Sequence, residues 1–242
     1  MKVVLITQGV SPAVWPLLRE PGIEIVGIVE SAPRGYESQK KGKTTIRRRL
    51  RNLMRPRCHL AGLAACEGLP YLLLHRNNSR QLQDWLRRLE VDVVVVSSMS
   101  QLLGEEVIKI PRLGALNLHP SLLPAYRGAN PWFWVYYNDE RFSGVTLHFI
   151  NPDEDAGDIV AQHEFNIERG SRLPDLVELA VGQLGVKMVL EALRALARGE
   201  SLPRRAQCKE SPTPRARNIQ RSEYPGLVAW KKWDVERVWH FL

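Results

Sequence analysis

The chain has 242 residues, of which 44% are hydrophobic and 25% charged, as in globular proteins rather than disordered or collagen-like chains. Its three cysteines form no CxxC pair, which excludes a disulfide scaffold and gives no sign of a metal clip. The amino terminus lacks a secretion-signal pattern, and no apolar run approaches the ~18 residues of a membrane span. We therefore expect a soluble cytoplasmic protein without membrane contacts, built as one domain with an appendage or as two small domains.

The net charge of +8 is concentrated in two segments of the chain. Residues 34–57 contain ten Lys or Arg and one Glu, a balance of +9, and residues 204–221 contain six basic residues and one acid, a balance of +5. The remainder is therefore mildly acidic, at −6. Basic segments either contact the phosphates of a ligand or are solvated loops, and the sequence leaves both interpretations open.

Short β-branched runs alternate with helical periodicity through the first half of the chain. Predicted strands cover residues 3–6, 23–29, 71–74, 91–96 and 115–119. One predicted helix begins at Ser11, with Pro12 in its first turn. Two further predicted helices cover residues 79–89 and 102–109. This alternation predicts an α/β fold with a doubly wound, mostly parallel sheet.

The second half of the chain predicts a helix opening at Pro131 and two strands, GVTLHFI and IVAQHEFNI, around the acidic turn NPDEDAGD. Residues 173–198 have helical periodicity. From Leu202 the chain is rich in Pro and Arg, which predicts an irregular arm, and the last ten residues return to helical spacing behind Asp234.

Asn117 and His119 stand two residues apart on a predicted strand, so both side chains leave the same face of the sheet. His119 precedes Pro120 and therefore ends the strand, at the carboxyl edge where open α/β sheets bind ligands. An amide donor and an imidazole would meet at that edge. The alternative is a strand end whose polar groups only satisfy the following loop.

Two other segments carry polar residues with weaker patterns. The turn at 151–158 holds four carboxylates within six residues but lacks the alternating spacing of a calcium loop, so we predict no metal site and expect solvated turn acids. His148 and His163, on the flanking strands, also lack metal-ligand spacing and are expected to be ordinary strand histidines. Gly9 follows the first strand, but TQGVSPAV has neither GxGxxG nor GK[ST], which argues against a dinucleotide or a P-loop ATP.

Four motifs together resemble the formyltransferases that use 10-formyltetrahydrofolate: NLHPSLLPAYRG at 117–128, Pro131, GVTLH at 144–148 and DAGDI at 155–159. That family includes glycinamide ribonucleotide transformylase, the amino-terminal domain of methionyl-tRNA formyltransferase and sugar N-formyltransferases. The resemblance covers roughly residues 1–200. It implies a formyltransferase catalytic domain over 1–200, followed at 201–242 by an arm and terminal helix that resemble the linker to a further domain in the tRNA enzymes.

The resemblance also implies roles for individual residues. The family's catalytic Asn, His and Asp correspond to Asn117, His119 and Asp155. Its folate pocket corresponds to the loop after the fourth strand and to the acidic turn, which implies that the co-substrate 10-formyltetrahydrofolate contacts Ser98, Met99, Leu102, Leu103, Asp153 and Asp155.

The chemistry of formyl transfer agrees with that trio. When an amine attacks a formyl group, the formyl oxygen becomes negatively charged and the amine loses a proton. The folate nitrogen that departs must gain a proton. Asn117 can supply a fixed N–H and protonated His119 a charged donor, while Asp155 orients His119 and helps to take the amine proton. The sequence leaves open which of His119 and Asp155 is the base.

Differences between this sequence and the family's motifs narrow the choice of the molecule that accepts the formyl group. The loop after the first strand lacks the phosphate-binding pattern of the purine-pathway enzymes, and the HPSLLPAYRG spelling resembles the sugar branch. We therefore expect an anionic acceptor, an amino sugar linked to a nucleotide, with Gly9, Tyr126 and Arg127 in contact with it. The alternative acceptor is an aminoacyl-tRNA. The alternative interpretation of Arg127 is that it only ties down its own loop. A second copy of the chain, in a homodimer, is another partner that the sequence leaves open.

Overall fold

A computed structural model describes residues 1–33, 59–76 and 78–241. The basic segment 34–57 lies outside the described residues. The strands are β1 (Lys2–Thr7), β2 (Glu24–Ser31), β3 (Tyr71–Leu74), β4 (Val93–Ser97), β5 (Ala115–His119), β6 (Phe142–Phe149) and β7 (Ile159–Asn166). The helices are α1 (Val14–Leu18), α2 (Leu60–Cys66), α3 (Ser79–Leu89), α4 (Glu105–Ile108), α5 (Pro131–Tyr137), α6 (Leu173–Val177), α7 (Val186–Ala197) and α8 (Val235–Phe241).

The seven strands form one sheet in the order β3-β2-β1-β4-β5-β6-β7. The five strands from β1 to β5 run parallel, and β6 and β7 are antiparallel additions at one edge. The order reverses between β1 and β4, because the chain first builds outward to β3 and then crosses back. The prediction of an α/β fold with a doubly wound, mostly parallel sheet is confirmed.

Both faces of the central strands are buried, since alternate residues of each strand enter different cores. Val3, Leu5, Val93 and Val95 face one core, in which they pack with α1 and α7. Their sequence neighbours face the second core, which contains Trp85 of α3. This double coverage explains why the run VDVVVV has no polar face.

Several element boundaries differ from the sequence prediction. The first helix begins at Val14 rather than at Ser11, because the Ser11 hydroxyl instead accepts the Ala13 N–H at 3.1 Å in a turn ahead of the helix. The helix predicted over 102–109 is confined to Glu105–Ile108. The predicted long helix is present, but a π-helical segment, Glu178–Gly185, joins α6 to α7. That segment packs closely on β5: a Cβ at Gly185 would lie 2.5 Å from Leu118 Cδ2, between Asn117 and His119.

The carboxy-terminal arm follows the sheet edge and the loop after β5. Arg205 bridges to Ile159 of β7 through two backbone hydrogen bonds of 2.8 and 3.0 Å. Farther along, the Ala216 N–H donates to the Arg127 carbonyl at 2.7 Å. The terminal helix is present as α8, and Asp234 caps it by accepting the Arg237 N–H at 2.7 Å. In the described part of the chain, no helix is long and apolar enough to cross a membrane.

Candidate active site

A cavity of about 570 Å³ opens at the carboxyl edge of the sheet, beside the point where the strand order reverses. Its wall is built from the ends of β4 and β5, the loop that follows each of them, and the acidic turn between β6 and β7. All eight residues for which the resemblance implies a catalytic or folate-binding role contribute to the wall: Ser98, Met99, Leu102, Leu103, Asn117, His119, Asp153 and Asp155.

Asn117, His119 and Asp155 converge in the wall of this cavity. The Asn117 Nδ2 donates to Asp155 Oδ1 at 3.2 Å, and His119 Nδ1 lies 3.5 Å from Asp155 Oδ2. Asn117 and His119 share one face of β5 because they are two residues apart. β6 runs antiparallel to β5, so its last residue, Phe149, pairs with Leu116, and the acidic turn that follows folds back to bring Asp155 to Asn117 and His119.

The acidic turn holds Asp155 in a left-handed conformation, with φ at 50°. Gly157 makes the turn possible, since an added Cβ there would overlap the Phe149 carbonyl oxygen. The Gly128 N–H donates to Asp155 Oδ2 at 2.9 Å. Burial by itself would raise the pKa of Asp155, but the positive charge of His119 and His148 when they are protonated, together with the Gly128 N–H, outweighs it and holds that pKa well below its usual range. Asp155 is therefore an ionised, weakly basic carboxylate.

His119 is almost completely buried, with 4% of its surface exposed. Its Nε2 lies 3.0 Å from the Tyr126 carbonyl oxygen, and because a carbonyl oxygen only accepts, Nε2 carries a hydrogen. Burial lowers the pKa of His119 even though Asp155 opposes the change. The resting side chain is therefore neutral, with an unprotonated Nδ1 beside the Asp155 carboxylate.

His148 is a member of the site that sequence reasoning missed. It is fully buried, its Nδ1 donates to the Phe149 carbonyl at 2.8 Å, and its Nε2 accepts the Asn117 amide at 3.1 Å. It thereby fixes which way the Asn117 amide points. The signal lay in the pairing of the two strands, because Asn117 and His148 are direct partners in the antiparallel register of β5 and β6.

The three residues expected to contact the acceptor do not line the cavity. The Arg127 guanidinium donates to Gln207 Oε1 at 2.7 Å and to the carbonyls of Cys208 and Lys209, so it binds the arm. The Tyr126 side chain is buried in a separate apolar cluster, and only its carbonyl reaches the site. Gly9, with φ at 86°, lies beside wall residues without joining them.

The acidic turn brings no metal-binding group together in the part of the chain that the structure describes. Within residues 1–33, 59–76 and 78–241, no three His, Cys, Asp or Glu side chains are placed to hold a metal ion. Glu154 pairs instead with Arg215, and Asp158 with Arg204.

Comparison with known proteins connects this geometry to a family. A methionyl-tRNA formyltransferase from Thermotoga neapolitana is 32% identical over 203 residues, which is 83% of this chain and 60% of that protein. The chain thus spans about three fifths of that relative's length. Among solved structures, glycinamide ribonucleotide transformylase 1 from Symbiobacterium toebii shares the fold, with a TM-score of 0.64 at 20% identity over 87% of this chain and 94% of that one.

A sugar 3N-formyltransferase, WlaRD, also shares the fold. Its structure, solved in the presence of dTDP and 5-N-formyl-THF, has a TM-score of 0.58 at 18% identity over 88% of this chain and 68% of that one. The family model described as "Formyl transferase" matches residues 17–193, which include the whole trio. The chain therefore belongs to the formyl transferase family.

Proposed function

We propose that the protein transfers a formyl group from 10-formyltetrahydrofolate to an amine at the cavity described above. The observation that carries this proposal is the convergence of Asn117 and His119 on Asp155, at 3.2 and 3.5 Å, in the wall of a cavity of about 570 Å³. Such a site combines an N–H donor, a proton acceptor and a buried negative charge, which are the groups that formyl transfer to an amine requires.

His119 is the proton acceptor in this proposal. Its neutral Nδ1 can take the proton that the attacking amine loses, and the Asp155 carboxylate then faces an imidazolium. Asp155 itself is a poor base, because its pKa is held well below the usual range. Asp155 therefore contributes orientation and negative charge, and the protonated His119 can pass its proton to the departing nitrogen.

Asn117 supplies the N–H that stabilises the negative oxygen of the transition state. Both hydrogens of its amide are directed at protein acceptors in the structure, one at His148 and one at Asp155. We assign the 3.2 Å bond to Asp155 as the one exchanged for the oxyanion, because the bond to His148 then still holds the amide. The amide keeps its orientation during this exchange, because its other hydrogen stays bonded to His148.

The same cavity wall suits a flat, polar-edged ring such as a pterin. Met99, Leu103 and Ile150 give it apolar surface, and the turn at 151–155 and the loop after β4 are the loops whose backbone groups would bind the ring's polar edge. Folate, when bound, supplies the formyl carbon. The residues of this chain hold the ring and place the formyl group next to Asn117.

The acceptor we favour is a nucleotide-linked amino sugar, and the solved sugar 3N-formyltransferase in the presence of dTDP, which shares the fold, supports this choice. The alternative, an aminoacyl-tRNA, is favoured by the similarity to methionyl-tRNA formyltransferase. Among the described residues of the cavity wall there is no Lys or Arg, and three carboxylates are present. A diphosphate would therefore have to contact cations outside that wall, where the arm and residues 34–57 are the basic segments of the chain.

Direct transfer assays test the function and separate the acceptors. The protein is incubated with 10-formyltetrahydrofolate and with either uridine, thymidine or guanosine diphosphate amino sugars or initiator methionyl-tRNA, and tetrahydrofolate release and product mass are measured. We expect a product 28 Da heavier than one of the sugar acceptors, and no product with Asn117→Ala. Formylation of the tRNA alone would contradict the sugar assignment, and failure to bind the folate would contradict formyl transfer.

A further inference from the structure

One arm residue joins the two loops that carry the catalytic groups. Gln207 is half-buried, whereas the residues on either side of it, 203–206 and 208–210, are exposed. Its Nε2 donates both hydrogens to the acidic turn, to the Asp155 carbonyl at 3.0 Å and the Gly157 carbonyl at 2.7 Å. These carbonyls belong to the left-handed residue Asp155 and to the residue two positions after it, so the amide of Gln207 holds the turn from its strained residue onward.

The other half of the same amide holds the loop after β5. Gln207 Oε1 accepts two hydrogen bonds from Arg127, at 3.2 Å from Nε and 2.7 Å from Nη2. Arg127 immediately precedes Gly128, whose N–H binds Asp155 Oδ2 at 2.9 Å. The hydrogen bonds therefore form a closed circuit that runs from the Asp155 carboxylate through Gly128, Arg127 and Gln207 back to the Asp155 carbonyl.

The arm is packed against this circuit too closely for it to be an incidental contact. A Cβ at Gly128 would lie 2.9 Å from the Ala216 carbonyl oxygen, and the Ala216 carbonyl accepts the Asn130 N–H at 2.8 Å. The arm therefore fixes the loop in front of His119 as well as the turn that carries Asp155.

We propose that Gln207, together with Arg127, is a positioning residue that sets the place of the Asp155 carboxylate relative to His119. This inference rests on the proposed function for its catalytic consequence, but the positioning itself exists in the protein without substrates. A conventional alternative is that Gln207 only attaches the arm, in which case its loss would lower stability and leave the His119–Asp155 pair unchanged.

Titration of His119 separates these alternatives without any assay of activity. Burial lowers the pKa of His119, Asp155 and the hydrogen bond to the Tyr126 carbonyl raise it, and His148 lowers and Glu154 raises it by smaller amounts. Displacing Asp155 removes the raising effect, so the pKa of His119 falls. The direction of this change is set by the lost opposite charge, because a nearby carboxylate favours the protonated imidazole.

The experiment compares full-length wild type with Gln207→Ala and with the matched control Lys209→Ala. Lys209 is exposed, and it binds Arg127 through its backbone carbonyl, which the substitution retains. The His119 resonance is assigned with a His119→Asn variant and followed by NMR against pH. We expect a lower pKa of His119 in Gln207→Ala and wild-type behaviour in Lys209→Ala; an unchanged pKa in a folded Gln207→Ala protein would overturn the proposal.

Kinetics with the same variants tests the catalytic consequence. A misplaced group costs about 10- to 100-fold in turnover, so we expect kcat to fall by that factor in Gln207→Ala with KM for both substrates within about twofold. Gln207→Glu keeps the acceptor for Arg127 but places a carboxylate against two carbonyls, so it should not rescue kcat. If wild type transfers no formyl group, the proposed function fails, while the NMR titration still decides the positioning.

Discussion

The Asp155→Asn substitution removes one charge from the centre of the site with almost no change in shape. In the native protein, one carboxylate oxygen accepts from Asn117 and the other from Gly128. An asparagine has a single acceptor oxygen, so one of these two donors would face an N–H group. The substitution also removes the negative charge that stabilises protonated His119, whose Nδ1 is 3.5 Å away.

The electrostatic loss can be worked from that distance. Two unit charges 3.5 Å apart interact by about 5 kcal/mol at an effective dielectric constant of ~20. Each ~1.4 kcal/mol corresponds to a factor of ten in rate, so the full loss would be about 3 powers of ten, and the remaining amide dipole retains part of it. We expect kcat to fall by about 10²- to 10³-fold.

The assay is the initial rate of tetrahydrofolate release at saturating concentrations of both substrates, with thermal unfolding measured in parallel. Asp158→Asn is the matched control, because Asp158 lies in the same turn but pairs with Arg204 at 3.5 Å. We expect this control to retain activity within about twofold. A folded Asp155→Asn protein with a kcat within tenfold of wild type would refute the charge-stabilisation argument.

Three further predictions concern the same site. Asn117→Ala removes the oxyanion donor and should lower kcat by about 10²- to 10³-fold at an unchanged fold, as measured by steady-state rates and circular dichroism. Gly157→Ala forces the acidic turn away from the Phe149 carbonyl and should weaken folate binding at least tenfold in a calorimetric titration. Because burial lowers the pKa of His119, its neutral form persists below the ordinary value of ~6.5. The apparent pKa on the acid side of the profile of kcat/KM against pH should therefore lie below ~6.5, and an apparent pKa above that value would contradict the role of His119 as the base.

The lowered pKa of His119 should also make the stability of the fold depend on pH. A histidine whose folded pKa is lower than its unfolded value stabilises the fold above the unfolded pKa, and that stability is lost as pH falls from ~6.5 through the folded value. Chemical denaturation between pH 5 and 7 should therefore show a loss of stability toward acid that His119→Asn reduces. Equal slopes in both proteins would show that His119 is not the group responsible.

Much of the fold follows from local patterns in the sequence. The helix over 79–89 has a strongly amphipathic face and lies at the predicted residues. Successive residues of β1 and β4 point to opposite faces of the sheet, and the residues on both faces are apolar because helices cover both sides of the sheet. Asn117 and His119 lie together at the sheet edge for an equally local reason, since strand residues two apart share a face.

The parts that local patterns did not predict depend on contacts between distant segments. The role of His148 depends on the strand register that places it opposite Asn117. The direction of Arg127 is set by Gln207, 80 residues later in the chain, and not by the loop in which Arg127 lies. The roles of Asn117, His119 and Asp155 stay predictions, which the substitutions described above test.

Titration of the full chain with a non-reactive folate analogue, 5-formyltetrahydrofolate, followed by calorimetry, tests the central claim most directly. We predict one binding site per chain and, at one hundred times the dissociation constant, stabilisation of the fold by about 2.7 kcal/mol, seen as a rise in Tm of about 5–10 °C. The Gly157→Ala variant should lose most of this effect, because its turn cannot close against Phe149. No detectable heat and no change in Tm at millimolar ligand would contradict the proposal that this protein is a folate-dependent formyltransferase.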